Sequence, residues 1–482
     1  MQNMDQYEIV VGLEVHAQLL TGTKLFCGDT TEFGKEPNTQ ISVISLGYPG
    51  TLPRLNKEAI SLAIKLGLAC NCQIVQHNYF ARKNYFYADL PKGYQISQHT
   101  TPICKGGFLE IAVGKETKKV SLNRIHIEED AGKSLHDEES DFSNLDFNRA
   151  GMPLLEIVTE PDLRSAEEAF AYVTTLRKLV RHLGVCDGNM EQGSLRCDVN
   201  ISVRKKGEQK LGTKVEIKNL NSIRFIKKAI EFETQRLIDL SEKGKTILQE
   251  TRGFDENSFT TYSIRTKEDE DDYRYFPEPD LPPFFISNEM IEKIRSEMPA
   301  LQTEVKEKLI SYYRLSDYDA DQLSNDTELS NFFFELADQT KNNKASANWT
   351  LGPIRNHLLS NEVSIDETSL QPAAITELIQ RIDEGAISYG IATQKIFPAI
   401  ISNPSLNIGK FIEENDLQIQ TSQTEIDNLI DAALNKHSEK IPEYKKGKKG
   451  LISLFVGEVM KLSKGKADAK LVTEKIIEKL KA

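Results

Sequence analysis

Apolar and polar residues alternate at several places in the first 290 residues of the chain, and the alternation is clearest at residues 11–18. There every second side chain is apolar, and the intervening polar positions include Glu14 and His16. A period of two predicts a strand with one face on a core. Residues two apart on a strand lie about 7 Å apart on one face, so Glu14 and His16 can reach one cation or phosphate. The alternative is a solvated polar face with a chance histidine.

The same alternation recurs and predicts further strands at residues 108–113, 120–127, 154–160, 198–204 and 213–218. Helices are predicted at 57–70, 165–183 and 222–243, and the second of them begins with Ser165 and Glu168, a capping-box signature. Strands mixed with irregularly spaced helices, without a regular βαβ rhythm, predict an α+β domain with a largely antiparallel sheet.

A proline-dense segment at 277–283 interrupts this pattern and predicts a domain boundary near residue 290. Apolar positions three and four apart then predict helices at 288–296, 301–315, 327–340, 347–359, 370–382, 424–436, 450–462 and 469–480. A second boundary is predicted near Asn403 and Pro404. The pattern therefore predicts three domains: an α+β domain at 1–290, a helical domain at 291–404 and a small helical tail at 405–482.

Composition and charge add two constraints to this picture. With 39% hydrophobic and 27% charged residues among 482, the chain can bury sizeable cores. The net charge of −12 is uneven, because residues 441–482 hold eleven lysines against five acids, a local +6 that leaves −18 for the first 440 residues. A basic tail on an acidic body predicts an anionic partner for the tail. The alternative is a solvated basic helical module.

The cysteines and the apolar runs indicate the compartment. The six cysteines contain no C-x-x-C pair, which predicts reduced thiols in a cytoplasmic protein. No apolar run approaches 18 residues, so no membrane span is expected. The first residues carry Asp5 and Glu8 and no basic region, so a secretory signal is not expected either.

Two segments of the predicted α+β domain concentrate groups suited to phosphates and metal ions. Residues 82–89 begin with Arg82 and Lys83 and continue with three aromatic residues, a pattern suited to phosphate or adenine contacts. The alternative there is an aromatic-rich strand with a charged outer face. Residues 126–130 place one histidine and three acids at a predicted strand end, where the alternative is a solvated turn.

Other polar residues fall on the neighbouring predicted strands. Glu156 stands alone in an apolar run, and its carboxylate is costly to bury unless it is paired or binds a metal ion. The alternative is an edge-strand glutamate that reaches solvent. Glu191, Arg196 and Asp198 follow, with Lys214 one strand later. Together these residues predict a polar sheet face suited to Mg²⁺ with the phosphates of ATP.

The chain lacks the common glycine-rich nucleotide motifs. Residues 131–134 read Ala-Gly-Lys-Ser, but a P-loop requires glycine where the chain has Ile127. No G-x-G-x-x-G fingerprint occurs elsewhere. Nucleotide is therefore expected to bind through metal-bound phosphates. Zinc is poorly supported, because thiolates with ligand spacing are missing.

Nine stretches carry a further signal: GLEVHAQL (12–19), YPGTLPRLN (48–56), RKNYFYADLPKGYQISQ (82–98), HIEEDAGKS (126–134), NRAGMPLLEIVTEPD (148–162), EQGSLRCDVNISVR (191–204), TKVEIKNLNS (213–222), DDYRYFPEPDLPP (271–283) and GLISLFVGEVMKLSKGKADAKLV (450–472). These stretches resemble the B-subunit family of the tRNA-dependent amidotransferases. The resemblance covers nearly the whole chain, and motifs of this length are highly specific.

The resemblance implies a cradle-shaped catalytic domain, a helical domain and a tail that contacts tRNA. It implies that ATP phosphorylates the side-chain carboxylate of Glu-tRNA(Gln), Asp-tRNA(Asn) or both, and that ammonia then displaces the phosphate. Ammonia would come from a glutaminase A subunit in a heterotrimer with a C subunit. This chain lacks that enzyme's glycine- and serine-rich loop, since its only Gly-Gly pair is Gly106-Gly107.

Carried over residue by residue, the resemblance assigns two groups of site residues. The catalytic and divalent-metal set is Glu14, His16, Glu129 and Glu156. Contacts with ATP and substrate fall to Arg82, Lys83, Glu128, Glu191, Arg196, Asp198 and Lys214. The basic tail separately predicts contacts with tRNA phosphates through Lys445, Lys446, Lys448, Lys449, Lys464 and Lys466. The implied cofactors are ATP and Mg²⁺.

The chain departs from the family in one loop. Many members bind zinc there through a C-x-C and a C-x-x-C pair, and the corresponding positions here are Cys27, Asp29, Ser42 and Ser45. One thiol of four cannot make a structural zinc site, so no zinc is predicted. The loop is expected to be held by packing, with Tyr48 as part of its anchor.

Two other functions remain open from the sequence. The first is a non-catalytic tRNA-binding scaffold in the same complex, with another subunit responsible for the chemistry. The second is an ATP-grasp-like ligase of small molecules, which would turn over ATP without tRNA. The predicted polar sheet face, with its acids and histidine between residues 14 and 198, favours the catalytic role, because a scaffold has no need of buried acids.

Overall fold

The computed structural model describes residues 6–114, 116–136, 142–266, 273–419, 423–463, 466–467 and 469–481. The chain divides into two compact units, Met1–Pro299 and Ala300–Ala482. The first unit is mixed α and β with a largely antiparallel sheet, and the second is helical. The predicted fold class is thereby confirmed, whereas the predicted boundaries at residues 290 and 404 remain predictions.

Among the described residues, the strands all lie in the first unit. They are β1 (Tyr7–Gln18), β2 (Gln73–Ile74), β3 (His77–Asn78), β4 (Ala81–Asn84), β5 (Tyr94–Ser97), β6 (Cys104–Lys105), β7 (Phe108–Val113), β8 (Glu116–Glu129), β9 (Lys133–His136), β10 (Ser143–Asp146), β11 (Pro153–Thr159), β12 (Leu195–Lys205), β13 (Val215–Lys218), β14 (Glu250–Asp255), β15 (Thr260–Thr266), β16 (Phe276–Pro277) and β17 (Phe284–Phe285). The five strands predicted after residue 100 correspond to β7, β8, β11, β12 and β13.

Four α-helices belong to the first unit and the others to the second. They are α1 (Lys57–Ala69), α2 (Ala166–His182), α3 (Ile223–Glu242), α4 (Asn288–Glu297), α5 (Gln302–Ser311), α6 (Asp317–Ser324), α7 (Thr327–Thr340), α8 (Asn343–Trp349), α9 (Arg355–Asn361), α10 (Pro372–Asp383), α11 (Tyr389–Ile391), α12 (Phe397–Ser402), α13 (Ile408–Glu414), α14 (Gln423–Lys436), α15 (Ile441–Lys445), α16 (Ile452–Leu462) and α17 (Ala469–Lys481).

The main sheet is built around β1. Its strand order is β15-β14-β13-β12-β1-β11-β8-β6-β2, and β7 pairs with β8 beside this path. Within it, β13 and β14 pair in parallel, whereas β1 runs antiparallel to both of its neighbours, β11 and β12. The strand with the clearest alternation in the sequence therefore has a partner along each of its edges.

Helices cover one face of this sheet. Helix α3 packs on β12 and on α2, α2 packs on β7, and α1 packs on β8. On β1, Val11, Leu13 and Val15 are at most 1% exposed. Burial of this apolar face stabilises the sheet, and the alternation places Glu14 and His16 on the opposite face.

The helices of the first unit begin where the sequence places a capping residue. Asn56 precedes α1 and accepts a hydrogen bond from the backbone N–H of Glu58. Ser165 precedes α2 and accepts one from Glu168, as the capping signature predicts. Each cap satisfies a backbone N–H that has no partner inside the helix, a contribution of about 1 kcal/mol.

The second unit contains two clusters of buried apolar residues, one within residues 309–417 and the other within 426–480. Trp349, which is 1% exposed, lies in the first cluster. The helix predicted at 347–359 is divided there by a π-helical turn that contains Pro353. Proline lacks the N–H that a regular α-helix needs, so the hydrogen bonds shift register at this position.

The loop that resembles a zinc site is held by hydrogen bonds. Ser45 Oγ donates to Asp29 Oδ2 at 2.6 Å, and the backbone N–H of Ser42 donates to Ser45 Oγ at 2.9 Å. Burial raises the pKa of the Cys27 thiol to about 11. At the expected anchor, the backbone N–H of Tyr48 donates to the carbonyl oxygen of Val43 at 2.9 Å, while the residue as a whole is 56% exposed.

Two further observations concern the cysteines and the helices. All six cysteines are free thiols. In the part of the chain that the structure describes, every helix is too short or too polar to cross a membrane.

Tyr172 on α2 offers a test of the packing. Its hydroxyl is buried and has no hydrogen-bond partner among the described residues. We therefore expect Tyr172→Phe to leave the free energy of unfolding unchanged or to raise it by up to about 1 kcal/mol. Calorimetry of the full chain measures this, with Tyr313→Phe as the matched control, because Tyr313 donates to Asp338 Oδ1 at 3.3 Å. A clear loss of stability in Tyr172→Phe would show that the hydroxyl has a partner in solution.

Candidate functional site

A cavity of about 1050 Å³ lies over the polar face of the main sheet. Its floor is formed by side chains of β1, β8, β11, β12 and β13, and β4 and β5 contribute to a wall. The strands place alternate residues on this face, so the charged and polar positions of five neighbouring strands face one space.

Four side chains near the centre of the floor form what we call the carboxylate–histidine cluster: His16, His126, Glu128 and Glu156. Glu156 Oε2 lies 3.4 Å from Nε2 of His16 and 3.4 Å from Nε2 of His126. Glu128 is 3.6 Å from each of the same imidazoles, through its two different oxygens. Each acid therefore faces both histidines.

The register of three strands explains this arrangement. His16 of β1 lies opposite Glu156 of β11, and Glu156 lies opposite His126 of β8. Glu128 follows His126 by two residues on the same strand, so it shares that face. Side chains directly opposite each other in an antiparallel pair have Cβ atoms about 5 Å apart, which brings the four groups into one cluster.

Burial makes the charges of this cluster depend on each other. Burial by itself lowers the pKa of His126, but the charges of Glu156 and Glu128 outweigh it and raise that pKa to about 9. Burial likewise disfavours ionised Glu156, yet His126 and His16 hold its pKa well below the ordinary value. His126 Nδ1 has no hydrogen-bond partner among the described residues. The cluster therefore favours ionised carboxylates.

The donor set fits a divalent cation. One nitrogen of His16 and one oxygen each of Glu128 and Glu156 lie within 4.8 Å of one another, and no other such group occurs among the described residues. Two carboxylates suit Mg²⁺ or Mn²⁺, which fill the other coordination positions with water or substrate oxygens.

The structure does not bring Glu129 into this cluster, although the sequence assigned it to the metal set. Glu129 is adjacent to Glu128 on β8 and therefore points to the opposite face. Its carboxylate accepts hydrogen bonds from Lys92 Nζ at 2.5 Å and from the backbone N–H of Ile96 at 2.8 Å. It lines a second, smaller cavity of about 200 Å³.

Glu14 faces the main cavity beside the cluster. Its Oε1 accepts a hydrogen bond from Asn200 Nδ2 at 2.7 Å. Opposite Glu14 on β12 lies Asp198, which pairs with Lys218 Nζ at 2.5 Å. These residues form a second polar group on the floor, and Glu14 lies outside the set of ligand atoms within 4.8 Å.

Arg82 and Lys83 are neighbours on β4 with different environments. Arg82 is outside the main cavity, where it donates two hydrogen bonds to the buried Glu278 at 2.6 and 2.9 Å. Lys83 lines the cavity, and no carboxylate of the described residues lies within 4.0 Å of its ammonium. Burial opposes its charge, but Glu128 and Glu156 help to raise the pKa of Lys83 above the ordinary value.

The other predicted contacts also line the cavity. Arg196 Nη2 donates to Asp130 Oδ2 at 2.9 Å, and its buried Nε has no partner among the described residues. Glu191 is exposed, and Lys214 lies further along the same floor. The structure thus brings every predicted ATP or substrate residue except Arg82 into one cavity.

The sequence assignment omitted several residues of this site. The most central is His126, which joins both acids of the cluster. Its two-residue spacing from Glu128 was a usable signal, the same one that Glu14 and His16 carry. Asp130 and Lys218 were also omitted, and their positions depend on partners far away in the chain.

The lysines predicted to bind tRNA lie in the second unit. Lys445, Lys446, Lys448 and Lys449 are exposed. Lys466 is less exposed and pairs with Asp416 Oδ2 at 2.5 Å. Lys464 lies outside the described residues.

The fold and the site define the class of this protein. It is an α+β protein followed by a helical region, and its largely antiparallel sheet carries a carboxylate–histidine cluster in a large cavity lined by ionisable side chains. A family model described as the GatB/GatE catalytic domain matches residues 9–292, and one described as the GatB domain matches residues 331–480. The chain belongs to the GatB family.

Curated relatives agree with this assignment over their whole length. The chain is 48% identical over 476 residues to the B subunit of the aspartyl/glutamyl-tRNA(Asn/Gln) amidotransferase from Thermodesulfovibrio yellowstonii, covering 99% of this chain and 100% of the relative. It is 45% identical over 477 residues to the protein of that name from Persephonella marina, covering 99% and 100%. The counterpart from Pseudomonas syringae pv. syringae is 45% identical over 480 residues, covering 98% and 99%.

Proposed function

We propose that this chain is the component of a tRNA-dependent amidotransferase that activates and amidates the mischarged amino acid. Its substrate is Glu-tRNA(Gln), Asp-tRNA(Asn) or both, and its products are Gln-tRNA(Gln) and Asn-tRNA(Asn). The names of the relatives support a multi-subunit enzyme that acts on these tRNAs. The observation that carries the catalytic assignment is the buried carboxylate–histidine cluster in a cavity that also holds Lys83 and Arg196.

The chemistry requires two steps. A side-chain carboxylate oxygen attacks the γ-phosphorus of ATP, which releases ADP and leaves an acyl phosphate. Ammonia then attacks the acyl carbon, and the C–O bond to phosphate breaks as the C–N bond forms. Without the first step the leaving group would be oxide, so phosphorylation supplies the leaving group that a free carboxylate lacks.

The residues of the cavity suit the charges of these steps. His16, Glu128 and Glu156 would hold a divalent ion such as Mg²⁺, which neutralises phosphate charge during phosphoryl transfer. Lys83 presents an ammonium on the wall of the same cavity, where it can bind phosphate or the carboxylate of the substrate. Arg196 is held by Asp130 and presents a guanidinium on the floor. Cations placed before the reaction begins cost no reorganisation during it.

The supply of ammonia and the binding of tRNA would depend on partner subunits and on the tail of this chain. Ammonia would come from a glutaminase A subunit, with a C subunit completing a heterotrimer. The exposed lysines of the tail would contact tRNA phosphates. A scaffold without chemistry is the other candidate, but it gives no reason to bury two carboxylates among two histidines, an arrangement that costs folding free energy.

The experiment that tests the function supplies ammonia directly. The complex is incubated with labelled Glu-tRNA(Gln) or Asp-tRNA(Asn), ATP, Mg²⁺ and ammonium chloride, without glutamine. Labelled amide that depends on ATP and on this chain supports the proposal. ATP turnover with a free amino acid and without tRNA would favour a small-molecule ligase instead.

Two adjacent glutamates test the metal site. We expect Glu128→Gln to weaken Mn²⁺ binding at least about tenfold, because it removes a charged ligand. Glu129→Gln changes the charge by the same amount on the opposite face of β8, so Mn²⁺ affinity should stay within about threefold of the wild type. Electron paramagnetic resonance of Mn²⁺ with the full chain measures both. Stronger loss in Glu129→Gln would place the ion on the other face.

A further inference from the structure

Four rings form a continuous row along one wall of the main cavity, and we call them the ring row: Tyr85, Tyr273, Tyr275 and His99. Tyr85 contacts Tyr273 edge-on, with 5.8 Å between ring centroids. Tyr273 contacts Tyr275 in the same way at 6.2 Å. The row ends in a parallel stack, because Tyr275 and His99 lie 4.1 Å apart with their planes 9° from parallel.

The last ring of the row has a free face. His99 is exposed, whereas Tyr275 is half-buried. Tyr275 covers one face of the imidazole and His99 is nevertheless exposed, so the opposite face is the one on which a further ring can stack. A planar ring presented in this way is a platform on which any nucleic-acid base can stack.

The stack is not a consequence of strand pairing. His99 follows β5 and Tyr275 precedes β16, and the two residues are outside the registered pairs of β4, β5 and β16. A second histidine pair differs in this respect: His77 and Phe285 are direct partners in the pairing of β3 with β17, and their planes are 50° apart. Strand pairing explains why His77 contacts Phe285, whereas strand pairing does not require His99 to contact Tyr275.

Lys83 connects the ring row to the carboxylate–histidine cluster. Its Nζ lies 4.7 Å from the centroid of Tyr273 and 5.7 Å from that of Tyr85. It also lies close enough to Glu128 and Glu156 to be stabilised by their charges. The cavity therefore presents a ring platform, a cation and a candidate metal site, the three features that a metal-bound nucleotide needs for its base and its phosphates.

Resting on the proposed function, we propose that the outer face of His99, backed by Tyr275, stacks the adenine ring of a bound nucleotide. Two ligands of the proposed reaction carry this ring: ATP and the 3′-terminal adenosine of the tRNA. For ATP, the arrangement directs the phosphates from the ring row toward Lys83 and the carboxylate–histidine cluster.

The test compares a ligand with the base and one without it. Binding of MgATP and of magnesium tripolyphosphate to the full chain is measured by calorimetry for wild type, His99→Ala and His99→Phe. We expect His99→Ala to weaken MgATP binding about tenfold and to leave tripolyphosphate unchanged, since stacking of one base contributes that much. His99→Phe keeps a ring and should bind MgATP as the wild type does. His77→Ala is the matched control, because it removes an exposed histidine that contacts an aromatic ring outside the main cavity, and it should change neither affinity.

The second arm identifies which adenine is bound. One outcome is that His99→Ala keeps the wild-type affinity for MgATP but has a raised KM for aminoacyl-tRNA, whereas His99→Phe has the wild-type KM. The platform would then hold the terminal adenosine of the tRNA. If His99→Ala changes neither quantity, the stacking proposal is overturned and the proposed function stands. A wild-type chain that binds neither MgATP nor tripolyphosphate would instead overturn the proposed function and the stacking with it.

Discussion

Glutamine in place of Glu156 is expected to lower ammonium-driven amide formation about a thousandfold. Glu156 Oε2 lies 3.4 Å from Nε2 of both His16 and His126, so this carboxylate is central to the cluster. The substitution keeps the shape of the side chain and removes its charge, so it should weaken the proposed metal site and the electrostatic stabilisation of the Lys83 ammonium. The measurement is the yield of labelled Gln-tRNA from the complex with ATP, Mg²⁺ and ammonium chloride, so that the glutaminase takes no part.

The control for this prediction is Glu110→Gln on β7. Glu110 pairs with Lys119 at 3.4 Å on the surface, where its side chain is 39% exposed, and its loss should leave the yield unchanged. Binding of Glu-tRNA by Glu156→Gln should also match the wild type, because the role proposed for Glu156 is in the chemical steps and not in tRNA binding. Full product from Glu156→Gln would mean that the buried acids are structural and that the chain is a tRNA-binding scaffold.

Sequence periodicity was sufficient to predict the long helices of the first unit. Helix α2, predicted at 165–183, is observed at Ala166–His182, and α3, predicted at 222–243, at Ile223–Glu242. Both have a serine cap before the first turn and an apolar face on the sheet. Helices α6, α11, α12, α13 and α15 were missed. They are short, so few apolar repeats mark them, and α12 begins beside Pro398.

The assignment of Glu129 shows where alternation alone is ambiguous. Residues 126–130 contain two consecutive glutamates, and a strand places only one of them on a given face. The two-residue spacing from His126 selects Glu128, provided that β8 has no bulge between them. The pairing with β11 is regular there, with Glu128 opposite Leu154 and Glu129 opposite Pro153. A shift of one residue would have exchanged the two acids. The pairing of β8 with β11 fixes which of the two glutamates joins the carboxylate–histidine cluster.

Long-range contacts account for the other differences. Arg82 pairs with Glu278, 196 residues away, and the sequence contains no periodic signal for that contact. Its neighbour Lys83 reaches the cavity because the strand turns alternate side chains to opposite faces. Two adjacent cations in one motif therefore have separate roles, one in an ion pair that fixes β4 and one in the site.

The exposed lysines of the tail have no role in its own folding that the described contacts reveal. The buried cluster of that region is apolar and includes Ile430, Phe455 and Ile476, all three fully buried. Of the four exposed lysines, Lys448 pairs with Glu443 at 2.9 Å, and an exposed pair of this kind contributes little to stability. The charges can therefore be removed without loss of the fold, which makes them suitable for a binding test.

Replacing Lys445, Lys446, Lys448 and Lys449 together with glutamine should weaken tRNA binding and make it less sensitive to salt. Each phosphate contact contributes about 0.7 to 0.9 to the slope of log affinity against log salt, so four lost contacts flatten the slope by about 3. Fluorescence anisotropy of labelled tRNA with the complex, at several potassium chloride concentrations, measures this. The matched control replaces four lysines that are exposed elsewhere, Lys293, Lys344, Lys395 and Lys410. Because both variants lose the same net charge, a similar flattening in the two would mean that the effect is one of overall charge. An unchanged slope in the tail variant would remove these lysines from the tRNA contact.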